Sequence, residues 1–190
     1  MRAPILMTCG ALGMYVLGLA PSPLLAQTAP FGFGRPATGE EVAALDIDVR
    51  PDGQGLPDGR GTPAEGETVY AARCAACHGK TGREGPADIL VGREPREGFP
   101  FGRNPALPRT IGNYWPYATT LYDYIRRAMP PASPGSLSAD ETYAVVAYLL
   151  LLNELVPADV VIDRASLPRV VMSAKDRFVV DPRGGPGRGR

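Results

Sequence analysis

Five consecutive residues, Cys74-Ala75-Ala76-Cys77-His78, constrain this chain more than any other feature. Two thiols three positions apart, followed at once by an imidazole, make the C-x-x-C-H pattern of covalent haem attachment. The thiols can add across the two vinyl groups of one haem, and the adjacent imidazole then reaches the iron from the proximal side. Rival chemistries need features that the sequence lacks. A thioredoxin-like pair calls for a preceding strand in a βαβ context, and none reads there. Zinc calls for two further ligands, yet His78 is the one histidine and the third cysteine, Cys9, lies in an N-terminal leader. The chain is therefore expected to carry one covalent haem c.

The leader itself reads as an export signal. Arg2 supplies a short positive start, residues 5–20 are apolar with small residues, and Leu24-Leu25-Ala26 offers a small residue before Gln27. Cleavage is expected after Ala26, with Ala29 as the fallback. Thr8, Cys9, Gly10, Gly13 and Gly18 interrupt the apolar run and Pro21 breaks it, so it is short for a bilayer span. The mature protein is expected in the periplasm with no membrane span. Over the full sequence basic and acidic residues balance at 20 each, with no basic stripe, and nothing asks for a nucleic-acid partner.

With the leader removed, the soft candidates for a sixth iron ligand are Met129 and Met172. Bis-histidine ligation within the chain is impossible. Met129 stands in Arg126-Arg127-Ala128-Met129-Pro130-Pro131, where the prolines end a helix and stiffen the chain beyond it, and it is the expected distal ligand. Met172, in Arg169-Val170-Val171-Met172, reads more simply as an apolar contact.

Three helices are legible between residues 62 and 155. Thr62, Pro63 and Glu65 spell a capping box with proline in the first turn, and Gly66, Val69, Tyr70, Cys74 and Cys77 share one face beyond it. Gly66 fits a close approach by another backbone, or a glycine merely tolerated near a helix start. Thr120 is expected to cap residues 121–128, with Arg126 and Arg127 suiting the C-terminal end of the dipole. Ser138 and Glu141 form a second box before a helix from Ala139 to about Leu155, whose apolar run 144–152 is too short to cross a bilayer. Between the first two helices, residues 79–115 are rich in glycine and proline and lack a period. Their apolar groups, Ile89 to Ile111, need a surface to cover, and a haem supplies one. Arg83-Glu84-Gly85-Pro86 reads as a turn, either beneath the proximal face or simply at the surface. The aromatic cluster Tyr114-Trp115-Pro116-Tyr117 fits the wall of a haem crevice or ordinary core packing, with Trp115 the best candidate for haem contact.

Of the 23 glycines and 21 prolines, 25 lie outside residues 62–155, which two arms flank in the mature chain. Residues 27–61 hold the period-two fragment Leu45-Asp46-Ile47-Asp48-Val49. Residues 156–190 hold Val160-Val161-Ile162, Val170-Val171-Met172 and Phe178-Val179-Val180, which read as short extended segments before a disordered tail at 182–190. The arms are expected to dock a partner rather than to fold the haem module.

The string Gly66, Tyr70, Cys74-Ala75-Ala76-Cys77-His78-Gly79, with Met129-Pro130 downstream and Tyr148 in a final apolar helix, resembles class I cytochromes c over residues 62–155. The fuller run from Gly112 to Pro130, with Asp46 to Gly53 and Gly55-Leu56-Pro57, resembles the mono-haem cytochrome subunits of periplasmic sulfur-oxidising dehydrogenases. The resemblance implies an all-α class I cytochrome c fold with extended N- and C-terminal arms. It implies Cys74 and Cys77 as thioether residues, His78 as proximal and Met129 as distal ligand. It further implies a molybdopterin-containing dehydrogenase subunit, acting on sulfite or sulfane sulfur, as electron donor, and a downstream cytochrome or oxidase as acceptor. Two other readings stand beside it, a freely diffusing electron shuttle and a haem-based ligand sensor.

Overall fold

The computed structural model describes residues 33–179, so the leader, its cleavage sites and the tail at 182–190 lie outside the described residues. The chain divides into two units between Val42 and Ala43. Within the first, Glu41 Oε2 accepts from the Thr38 amide at 2.8 Å and its carboxylate pairs with Arg35. The short helix α1, Gly39–Leu45, starts there and buries none of its residues.

The second unit is built around helices α2, Pro63–Arg73, α4, Ala118–Ala128, and α5, Ala139–Leu152, with a short α3, Ala75–His78. Both capping boxes form as spelled. Thr62 accepts from the Glu65 amide while Glu65 reaches back to Thr62, and Ser138 and Glu141 repeat the arrangement. Orphan amide donors are thus satisfied at the start of the two helices that pack together most closely. Gly66 makes that packing possible. A Cβ placed there would stand 1.9 Å from the Ala144 carbonyl oxygen, so no other residue lets α2 and α5 approach as they do. Of the two readings of this glycine, close backbone approach is the one realised.

α4 begins two residues earlier than its expected cap. Tyr117 is the N-cap and offers no side-chain bond, while the Thr120 hydroxyl lies inside the first turn and donates to the Tyr117 carbonyl at 2.8 Å. At the far end Arg127 pairs with Asp123 one turn back, and Arg126 reaches the Ile47 carbonyl. α5 stops at Leu152 rather than near Leu155. The Glu154 amide bonds the Leu151 carbonyl and the Leu155 amide bonds the Leu150 carbonyl, a Schellman closure with Glu154 in the left-handed region (φ 56°). Asn153, fully buried, supports this end. Its amide donates to the Leu149 and Leu90 carbonyls at 2.8 and 3.3 Å, and its Oδ1 accepts from the Gly92 amide at 3.0 Å.

The arms depart from expectation. Leu45 ends a helix, Ile47 is partly exposed, and of the period-two fragment Val49 is buried, with its amide held by Asp123. Leu56 is buried as well. β1, Arg60–Gly61, pairs antiparallel with β2, Ile162–Asp163, which ties the N-terminal arm to the C-terminal one. Ile162, Leu167 and Met172 then enter the same hydrophobic cluster as Tyr70, Tyr122, Tyr143 and Leu150. The expectation that the arms leave folding to the helices is corrected on this point. Short apolar runs between turns need a surface, and here the surface is the module's own core. No helix among the described residues is long and apolar enough to cross a membrane.

Candidate haem site

α2 delivers the motif. The Cys74 amide still bonds Tyr70 at 2.8 Å and caps α2, after which α3 turns Cys77 and His78 off its axis through bonds to the Cys74 carbonyl at 3.1 and 3.0 Å. Gly79, at φ 78°, closes this turn, and the Tyr70 hydroxyl donates to its carbonyl at 2.9 Å. One buried tyrosine thereby ties the helix to the end of the motif.

The turn 83–86 folds against the motif itself. The Ala87 amide donates to the Cys77 carbonyl at 2.9 Å, and a Cβ on Gly85 would stand 1.9 Å from that same oxygen. This turn therefore lies on the histidine side of the motif and not at an unrelated surface. It brings the Asp88 carbonyl to 2.8 Å from His78 Nδ1. A carbonyl can only accept, so Nδ1 donates to it and Nε2 is the ring nitrogen left for a metal. A second hydrogen-bonded partner of this kind fixes the tautomer and ring orientation of a metal-ligating histidine. The sequence carried no signal for Asp88, since the group that acts is backbone.

Cys74 and Cys77 are both free thiols, Cys74 half-buried and Cys77 exposed. Burial, helped by the neighbouring Cys77, pushes the Cys74 thiol up to about 11. That suppresses the thiolate and argues against a thioredoxin-like redox pair, whose attacking cysteine needs a lowered value. Among the described residues no group of three His, Cys, Asp or Glu side chains could hold a metal ion, so the zinc reading gains nothing. Two free thiols beside an imidazole that presents Nε2 fit a covalently attached haem.

Met129 is the C-cap of α4, extended at φ −120° and ψ 142°, with its amide bonded to the Ile125 carbonyl at 3.0 Å. It is half-buried against the hydrophobic cluster that Cys74, Leu90 and Trp115 also border. Met172 is almost completely buried in that cluster, the apolar contact expected of it. Trp115 is half-buried and stands edge-on to Tyr124, ring centres 5.9 Å apart. Its neighbours in sequence serve a different purpose. Tyr114 stacks on Phe99 and meets Phe101 and Phe178, so it locks the loop to the C-terminal arm.

Comparison with known proteins agrees with this geometry. Residues 61–149 match the family described as cytochrome c oxidase, cbb3-type, subunit III. The crystal structure of the sulfane dehydrogenase SoxCD from Paracoccus pantotrophus contains a chain 42% identical to this one. The match covers 80% of this chain and 73% of that one, with a TM-score of 0.69. The chain belongs to the class I cytochromes c. No curated protein matches the sequence. Membership of this family carries a covalent c-type haem and electron transfer with it, and relates the chain to the SoxCD system.

Proposed function

We propose that this cytochrome accepts single electrons from a periplasmic molybdenum-dependent dehydrogenase of sulfite or sulfane sulfur and passes them to a downstream cytochrome or oxidase. The observation that carries the reading is the match to SoxCD, which covers 80% of this chain and so extends beyond the haem module.

In this reading Cys74 and Cys77 form the two thioether links to one haem, the single C-x-x-C-H motif allowing no second. When bound, that group supplies reversible one-electron chemistry at iron. His78 offers Nε2 as the proximal ligand, held in orientation by the Asp88 carbonyl. Met129, at the end of α4 with the prolines behind it, would hold the iron through its thioether. With both His78 and Met129 holding the iron, gas binding and peroxide turnover would find no open position, which separates this reading from a ligand sensor. Trp115, half-buried against the same cluster as Met129, would contact the haem. The mature protein lies in the periplasm after loss of residues 1–26.

The test is anaerobic mixing of oxidised holocytochrome with a purified molybdenum sulfane or sulfite dehydrogenase subunit and its substrate. Haem reduction should require both, and the two proteins should co-sediment. Reduction without a detectable complex would favour the free shuttle. Carbon monoxide binding to the reduced native protein would favour the sensor.

A further inference from the structure

A cavity of about 70 Å³ lies between the loop that follows the haem motif and the C-terminal arm. Arg93 and Arg96 face it from the loop, Ser173 and Arg177 from the arm, and Asn113 and Phe99 help to close it. Neither cysteine of the motif, nor His78, Met129 or Trp115, lines it. A single ordered water needs roughly 10–15 Å³ of cavity. There is room for several waters or for one small polyatomic anion.

The charges there do not cancel. Arg93 reaches the Glu154 carboxylate only at 3.4 Å and Ser173 Oγ at 3.3 Å, both long. Arg96 meets Glu94 at 3.0 Å and Glu154 at 3.7 Å. No carboxylate lies within ion-pair distance of Arg177 among the described residues. Three guanidiniums therefore share two carboxylates. The Nε of Arg93 is buried with no hydrogen-bond partner at all. A buried donor left unmet is costly, and because Arg93 lines the cavity an occupant that accepts can meet it. Water would satisfy the hydrogen bond and leave the excess charge. An anion answers both.

We infer that this cavity binds a small tetrahedral oxyanion of the sulfate or phosphate class. Planar guanidinium forks suit such oxygens, and Ser173 Oγ adds a neutral donor. Because Arg93 and Arg96 belong to the loop while Ser173 and Arg177 belong to the arm, the anion would tie the arm to the loop that carries His78's carbonyl partner.

The experiment titrates desalted holocytochrome with sodium sulfate, and separately with sodium phosphate, by calorimetry at ionic strength held constant with chloride. Sulfate also stabilises proteins through exclusion at high concentration, so saturable heat at low concentration is the readout. One saturable site is expected. Arg177→Gln, at an exposed position, should weaken it about tenfold, equivalent to about 1.4 kcal/mol, with the haem spectrum unchanged. Arg93→Lys, which keeps the charge and removes the Nε donor, should weaken it comparably. Arg164→Gln, at a surface pair with Asp58, should bind as the parent does. Absence of saturable binding to the holoprotein, as would be seen if a haem carboxylate filled the cavity, overturns the inference. So does equal weakening by Arg164→Gln, or parent-like binding by both cavity variants.

Discussion

Substituting Gly66 by alanine tests whether the α2–α5 contact sets the geometry of this fold. The added methyl would meet the Ala144 carbonyl oxygen at 1.9 Å, its carbon at 2.5 Å and the Tyr148 Cβ at 2.8 Å. Contacts of this kind are not tolerated below 3.0 Å, so the helices must part by about 1 Å or more. The obstruction is backbone within a capped helix and cannot rotate away. Overpacking typically costs about 1–3 kcal/mol and occasionally more, and a backbone clash belongs at the upper end. Replacing glycine inside a helix returns at most about 1 kcal/mol. The net loss is then about 2 kcal/mol, which for a chain of this size lowers the melting temperature by about 4–8 °C. Thermal unfolding of the holoprotein, followed by far-ultraviolet circular dichroism, measures it directly. A variant that melts at or above the parent temperature would refute the claim that Gly66 is there for close approach.

Leu167→Ala removes a fully buried side chain of the C-terminal arm and should cost about 2–5 kcal/mol, read by urea unfolding. A loss under about 0.5 kcal/mol would mean that the arm rests on the module without stabilising it. Denatured holoprotein should keep one haem in mass spectrometry, and complete loss under acid-acetone extraction would exclude thioether attachment at Cys74 and Cys77. Oxidised parent protein should show the weak near-infrared sulfur-to-iron band, and Met129→Ala should abolish it; persistence of the band would move the ligand elsewhere. Stability should also fall in acid. Hydrogen bonds from Thr62 lower Glu65, those from Ser138 lower Glu141, and those from Thr81 lower Glu84. Each contributes stability that is present above the unfolded value of about 4.3 and is lost as pH falls through the lower folded one. Replacing the three by glutamine should flatten the stability profile below about pH 4.5, and an unchanged slope there would contradict the assignment.

What the sequence determined by itself is local. The haem motif, both capping boxes and the proline stop after Met129 are each written in neighbouring residues, because thioether attachment, capping and helix termination act over a few positions. Gly66 could be flagged, but its purpose depended on Ala144, which stands far away in the chain. The rest was decided by tertiary structure. α4 starts before its apparent cap because burial of Ala118 and Thr119 outweighs a side-chain cap at Thr120. α5 ends at a glutamate in the left-handed region, where no glycine marks the stop. The proton on His78 is placed by the Asp88 carbonyl, and a backbone oxygen has no residue code. The arms read as docking segments because a period-two fragment shows that one side seeks cover without saying whose. The β1–β2 pairing answered that by bringing residues about a hundred positions apart into register, so that Ile162, Leu167 and Met172 found their cover in the core of their own chain.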